Sequence, residues 1–416
     1  MKRYLTAVNF ELTRRCNLNC EFCAKGEAQN KDITTDVIDK ALDELSRFEV
    51  HTIRAGGGEP MLNKTGLIYL IDEIIRRDIK ICNFLVFTNG TVRDQDIKEA
   101  LVRIGEYCKK CTFTDWGKDM LLWIYNDYEP VYDIDSYVEL IVSTNFHNNS
   151  DLINDTIAFY NDGVDPDIMC AANQTDSFIE KDKTLNIILE GNADKNLLKL
   201  HQQGHKGFSL YNNKYSLIKK ENDKCLTVEK TLSVCVNGNV TAGCTQSYEH
   251  ADSDNICNIF DCNGNLYEYI DKYSWDNPLS KQQAAFLTSY ETPLYLHERG
   301  IKFFKDDTDR NSFKNLVKQV QAYADLIKEV HKKYNTLTHT EAQELASLIL
   351  ASDCEKGDVD VKKYILEKFY GDSTLTDEDI ETGIQLLVLE HQSRVAERWG
   401  SLLNNTLLKN LIKFGV

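Results

Sequence analysis

Apolar and polar positions alternate between residues 4 and 12, where Leu5, Val8, Phe10 and Leu12 sit among polar neighbours; this reads as a strand. The period then lengthens. Val37, Ile38, Ala41, Leu42 and Leu45 share one helical face, and Thr34 and Thr35 offer N-caps to that helix. Residues 52–55 read as a second strand that runs into a glycine-rich turn. A helix follows, with Leu67, Leu70, Ile71, Ile74 and Ile75 on its buried side. Residues 84–87 form a third strand ending at Thr88-Asn89-Gly90, and a helix is predicted over 94–108. A β-rich run over 138–143, a helix over 151–160 and a strand over 185–189 continue the alternation. Strands alternating with helices at this spacing predict a parallel sheet. After about residue 300 the pattern is helical: Phe313, Leu316, Val317, Val320, Ala324 and Ile327 make one stripe. Thr338 with Glu341 forms a capping box, and Leu375 with Ile380 is placed as a hydrophobic staple around a helix start at Thr376.

Length and composition set the frame. With 416 residues and 42% hydrophobic content, the chain has room for one large barrel and an accessory domain. No apolar run reaches the length of a membrane span, and the first dozen residues are too short and too polar for a signal peptide. The 13 cysteines, an odd number, do not form an evenly spaced disulfide framework, so a reducing cytoplasm is the expected compartment. The net charge is −17, and Lys and Arg are scattered and outnumbered, 48 to 65. A duplex-binding protein carries a basic stripe, so nucleic-acid binding is disfavoured. A small phosphorylated substrate is compatible with this balance.

The candidate chemistry lies early. Cys16, Cys20 and Cys23 form a C-x3-C-x2-C triad in Arg15-Cys-Asn-Leu-Asn-Cys-Glu-Phe-Cys. Thiolates hold iron–sulfur clusters, and a fully ligated [4Fe–4S] cluster takes four. Three leave one iron open, the mark of a catalytic centre. The competing reading is a zinc site; zinc takes four ligands from paired halves, and no such pair stands nearby. Some forty residues on comes Gly56-Gly57-Gly58-Glu59-Pro60.

Together and in this order, the two motifs resemble the radical S-adenosylmethionine (radical SAM) superfamily. The resemblance implies a partial (βα)6 TIM-type barrel, an α/β fold, with SAM chelated at the open iron. It further implies that an electron splits SAM to a 5′-deoxyadenosyl radical, which takes a hydrogen atom from substrate. It places Phe22 at the adenine, and Gly57, Gly58 and Glu59 at the SAM methionine. Asn89 of Thr88-Asn89-Gly90 is carried over as a SAM contact, although a strand-ending turn explains that segment equally well. Ser143 and Asn145 match the segment that meets the ribose, with Asn145 where Asp is common; His147 is a weaker acid/base candidate. Glu190-Gly191-Asn192-Ala193 resembles a later-strand Gly-Arg-Ala segment, with Asn192 in place of Arg. Cys108 and Cys111 form a lone C-x2-C at a helix end and read as buried thiols.

The barrel is expected over residues 1–205, a small β-hairpin element and connector over 206–300, and an α-helical C-terminal region over 301–416. Two β runs joined at Asn237-Gly238 read as the hairpin. It looks like the post-barrel element of SPASM and twitch domains, which bind auxiliary clusters. Cys225, Cys244, Cys257 and Cys262 are the candidate ligands of a second Fe–S cluster; the downstream C-x2-C run of full SPASM domains is absent. The alternative is a relic hairpin holding buried cysteines. The resemblance favours a peptide or protein substrate, with a small molecule such as a nucleotide or cofactor precursor as the alternative. A non-catalytic Fe–S or SAM-binding regulator is the third reading. The mechanism implies a flavodoxin- or ferredoxin-type electron donor. The sequence assigns no catalytic residue.

Overall fold

The computed structural model describes residues 2–111, 136–142, 150–173, 183–184, 186–210, 219–222, 225–243, 247–279, 281–333, 339, 342–343 and 345–347. In chain order the elements are β1 (Lys2–Thr13), α1 (Thr35–Leu45), β2 (Glu49–Gly57), α2 (Lys64–Arg76), β3 (Ile81–Thr88), α3 (Gln95–Lys110), β4 (Val138–Val142), α4 (Ser150–Asn161) and β5 (Met169–Asn173). There follow β6 (Ile187–Ile188), α5 (Gly191–Lys195), α6 (Leu197–Gln202), β7 (Phe208–Ser209), β8 (Lys219–Asn222), β9 (Cys225–Val234) and β10 (Asn239–Ala242). The last are α7 (Tyr248–Ser253), β11 (Cys257–Asn258), α8 (Ile259–Cys262), α9 (Leu266–Asp276), α10 (Lys281–Glu298) and α11 (Asp307–Lys333).

The class expected from the alternating pattern holds: a mostly parallel sheet with helices, and a helical region after it. The strand order is β11-β10-β9-β1-β2-β3-β4-β5, and β1 to β5 are parallel throughout. Lateral register explains the two faces. Val8, Ile53, Phe84, Val138 and Met169 stand side by side across five strands, as do Phe10, Ala55, Val86, Leu140 and Ala171. These rows share one core with the helix stripes Val37–Ile38–Leu42 of α1, Leu67–Leu70–Ile74 of α2 and Ile97–Leu101–Ile104 of α3. The caps are in place: Thr34 accepts from Val37 N, and Asp94 from Asp96 and Ile97 N.

The opposite face is polar. Its row runs Ser233, Asn9, Arg54, Leu85, Glu139, Cys170. Asn9, Ser233 and Glu139 are buried there, and Asn9 Nδ2 donates to Ser233 Oγ at 3.2 Å. A strand alternates its side chains between faces, so a single sequence builds both an apolar layer under helices and a polar interior.

Two elements differ from expectation. The strand predicted over 185–189 shrinks to β6, which pairs with β7 in a separate two-stranded sheet and not with β5; two residues offer too short a ladder to extend a five-strand sheet. The predicted hairpin forms as β9 and β10, and β9 runs parallel beside β1, so the hairpin extends the main sheet.

The chain divides into two compact units, Met1–Thr288 with Tyr295–Phe303, and Ser289–Leu294 with Phe304–Val416. The second contains α11, on which Phe313, Ala324, Ile327 and Val330 are buried; Phe313 meets Tyr290 and Phe304 edge-on. Leu316, Val317 and Val320 of the same stripe are only partly covered. The capping box at Thr338 and Glu341 and the helix start at Thr376 lie outside the described residues. Among the described residues no helix is long and apolar enough to cross a membrane.

Candidate functional site

The cysteine triad sits on the loop that leaves the C-terminal end of β1. The loop is closed at its base by Arg14 N donating to Lys31 O (2.8 Å) and Gln29 N donating to Arg14 O (2.9 Å). Inside it, Cys23 N reaches Cys20 O at 3.2 Å, and Gly26 N reaches Cys23 O at 3.4 Å. All three cysteines are half-buried and none is in a disulfide.

One wall of this loop is the glycine run. Gly58 N donates to Thr13 O and Glu59 N to Arg15 O, each at 2.8 Å. A Cβ on Gly57 would lie 2.2 Å from Thr13 O, and one on Gly58 2.2 Å from Arg15 O. Gly57 also has φ +128°, a region that L side chains rarely adopt. The glycines are therefore demanded by the backbone of the cysteine loop, whatever ligand they also approach.

The other wall is the turn after β6. Asn192 N donates to Cys23 O at 2.9 Å and Asn192 Nδ2 to Cys20 O at 3.3 Å; Asn196 Nδ2 reaches Glu21 O at 3.2 Å. Thus the Asn that stands where related segments carry Arg anchors the backbone of two of the three cysteines.

Glu59 is wholly buried. Its Oε1 accepts from Thr88 Oγ1 (2.8 Å) and Met61 N (3.1 Å), and its Oε2 accepts from Asn89 N (2.7 Å). Burial pushes this carboxyl up to about 7, against the pull of the hydrogen bonds from Asn89, Thr88 and Met61. The carboxylate ties the glycine run to Thr88-Asn89-Gly90. Asn89 in turn donates from Nδ2 to Asn17 Oδ1 at 2.9 Å, and the same nitrogen stands 3.9 Å from Cys16 Sγ.

The remaining sequence candidates fall as follows. Phe22 packs partly buried against the apolar cluster of Ile187, Leu189, Ala193 and Leu197. Ser143, Asn145, His147 and Cys244 lie outside the described residues, as does the side chain of Cys225. Cys257 and Cys262 are buried in the main core, with their sulfurs 3.2 Å apart. Cys108 is buried on α3 and its thiol is raised by burial. The sequence reading missed α7. Tyr248 N donates to Lys25 O at 3.0 Å, and Ser247 N donates to Glu190 Oε2 at 3.0 Å, so this helix meets both sides of the loop. No local motif marks it; only the chain's long-range folding brings it there.

His250 of α7 lies between Glu190 (2.9 Å) and Asp254 (3.1 Å). The hydrogen bond to Glu190 leads in raising its pKa above 6.5. A raised imidazole stabilises the fold fully below its unfolded value and loses that contribution as pH rises through its folded value. His250→Gln is therefore expected to destabilise the chain at about pH 6 and to matter progressively less as pH rises through the raised folded value of His250. Denaturant titrations of both proteins across this window check it; a pH-independent difference would contradict the pairing.

Burial is the leading cause of the raised Cys16 thiol, and Glu59 and Cys23 also push it up. Among the described residues no three His, Cys, Asp or Glu side chains are grouped to hold a single metal ion. A cluster spreads its thiolates over separate irons. Three thiols on one half-buried loop are soft donors of the kind an iron–sulfur cluster takes.

Residues 10–113 match the Radical SAM superfamily. A probable GTP 3′,8-cyclase of Methanocella arvoryzae is 32% identical over 103 residues, 24% of this chain and 32% of that protein. The tungsten-containing aldehyde ferredoxin oxidoreductase cofactor-modifying protein of Pyrococcus furiosus is 32% identical over 99 residues, 23% of this chain and 27% of that protein. The match thus spans about a third or less of the length of these curated relatives. Among solved structures, BtrN in complex with AdoMet and 2-DOIA overlays 67% of this chain and 87% of its own at TM-score 0.38 and 14% identity. The segment that matches is the one that holds the cysteine loop, the glycine run and the Thr88-Asn89-Gly90 turn, and over these residues the chain is similar to the radical SAM superfamily.

Proposed function

We propose that the chain is an enzyme that binds a [4Fe–4S] cluster through Cys16, Cys20 and Cys23 and cleaves S-adenosylmethionine reductively. The observation that carries this reading is the single half-buried loop bearing three thiols, gripped by the glycine run on one side and Asn192 on the other. When bound, the cluster would deliver the electron that breaks the sulfonium and frees a 5′-deoxyadenosyl radical, which takes a hydrogen atom from substrate. The chain's own part is to hold and orient. Gly57 and Gly58 bring the β2 turn against the loop backbone, and Glu59 locks that turn to Asn89. Phe22, Gly57, Gly58, Glu59, Asn89, Ser143 and Asn145 are the proposed SAM contacts. A flavodoxin or ferredoxin is the proposed electron donor.

A peptide or protein is the proposed substrate, supported by the hairpin β9–β10 and by a second, helical unit beyond the sheet. A small molecule is the second reading. Curated relatives named GTP 3′,8-cyclase favour it, as does the polar row Asn9, Arg54 and Glu139 on the sheet face away from the helices. An auxiliary cluster at Cys225, Cys244, Cys257 and Cys262 belongs with the peptide reading.

Iron and sulfide counted after anaerobic reconstitution test the cluster and separate the substrates. Wild type is expected to hold about four irons or more, and Cys16/Cys20/Cys23→Ala to lose about four. Iron left in the triple variant supports a second cluster and the peptide reading; none left favours the small molecule. An equal count in both proteins would overturn the assignment of the triad.

A further inference from the structure

Arg14 stands two residues ahead of Cys16, and its side chain is fully buried, 0% exposed. Nε donates to Glu11 Oε1 at 2.7 Å. The guanidinium fork then closes on one carboxylate from far along the chain, Nη2 to Asp252 Oδ1 at 2.7 Å and Nη1 to Asp252 Oδ2 at 2.9 Å. Nη1 also reaches Gln29 Oε1 at 3.2 Å, and the plane lies 4.9 Å from the Tyr248 ring centroid. Four of the five donors of an arginine are thereby engaged at the ends of β1, the cysteine loop and α7.

The partners extend the grip. Glu11 Oε1 also accepts from Val236 N (3.4 Å), and Asp252 Oδ1 from Asn237 Nδ2 (2.9 Å), both in the turn between β9 and β10. Arg14's own N and O are the two groups that close the base of the cysteine loop. The residue that shuts the loop is thus the one that binds it to the 235–254 segment.

Stability alone is a weak reason for such an arrangement. A buried ion pair is often replaceable by apolar side chains without loss, and its best-attested use is to fix one geometry among several. A bidentate fork fixes orientation as well as distance, which a lysine cannot do. We infer that Arg14 is a positioning residue: through Asp252 and Tyr248 it sets the placement of the cysteine loop, so that α7 and the β9–β10 turn form part of the cradle of the cluster. This rests on the cluster reading proposed above.

The test uses the full chain and two variants, Asp252→Ala, whose site is partly exposed and 238 residues away from the loop, and Arg14→Lys, which keeps the charge without the fork. The first readout is amide hydrogen exchange over residues 14–31 in the iron-free protein. The second is the electron paramagnetic resonance spectrum of the dithionite-reduced, reconstituted protein with and without SAM. Both variants are expected to keep the wild-type circular dichroism while exchange in the loop rises at least tenfold and the SAM-induced spectral change is reduced. Wild-type exchange and a wild-type SAM response in both variants would overturn the inference. Should Asp252→Ala fold poorly, Arg14→Lys decides alone. If wild type takes up no iron, the cluster reading fails and this role with it; iron uptake by wild type together with wild-type exchange and a wild-type SAM response in both variants sinks only the role of Arg14.

Discussion

Glu59→Ala is expected to cost about 4 kcal/mol of stability and Glu59→Gln about 2 kcal/mol, before any cofactor is added. The wild-type carboxylate is completely buried and serves three donors: Thr88 Oγ1, Met61 N and Asn89 N. Alanine leaves Met61 N and Asn89 N without this acceptor and Thr88 Oγ1 with only the Met61 sulfur at 3.7 Å, in a site closed to water, and each orphaned buried donor costs about 1–3 kcal/mol. Glutamine keeps one oxygen, enough for Thr88 and Met61, but turns an amide N–H2 toward the Asn89 N–H. Because Gly90 N also donates to Thr88 Oγ1 (3.1 Å), the loss spreads into the turn that carries Asn89. Chemical denaturation of the iron-free proteins measures this; equal stability in all three would mean that the carboxylate does not tie these loops together.

Gly58→Ala is expected to reduce cluster loading several-fold and to destabilise the iron-free chain by about 1–3 kcal/mol. Its Cβ would lie 2.2 Å from Arg15 O, a backbone atom one residue from Cys16. Backbone cannot swing aside as a side chain can, so the cysteine loop must move and the Glu59 N to Arg15 O bond is strained with it. Gly163→Ala provides the control. Gly163 has φ +69° and nothing within 4 Å of its Cβ position, so it suffers only the backbone strain, about 1–2 kcal/mol, and is expected to load iron as wild type does. Iron loading in Gly58→Ala equal to that in Gly163→Ala would contradict the close-approach argument.

Local chemistry explains what could be read in advance. The period of Val8, Phe10, Ile53 and Val86 placed a parallel sheet under helices, and the helix cap at Thr34 formed as its residue type requires. The cysteine triad and the glycine run were legible because their chemistry is contained within a few residues each. The sequence did not reveal that the glycines answer to Thr13 O and Arg15 O, since close approach between segments more than forty residues apart leaves no periodic mark. The hold of Asn192 on the cysteine loop, and Arg14, Tyr248 and Asp252 altogether, escaped for the same reason: their partners are distant in the chain and single polar residues carry no pattern. The short β6 was over-read because a run of apolar residues does not reveal how long a ladder it can sustain. Cys257 and Cys262 were weighed as ligands through the resemblance to SPASM and twitch elements, and their sulfurs stand 3.2 Å apart at buried positions.

The most direct test of the central claim is anaerobic incubation of the reconstituted chain with S-adenosylmethionine and dithionite, with 5′-deoxyadenosine and methionine quantified. Wild type is expected to form both in equal amounts, and Cys16/Cys20/Cys23→Ala to form neither above background. Absence of 5′-deoxyadenosine from an iron-loaded wild type, or equal formation by the triple variant, would contradict the account.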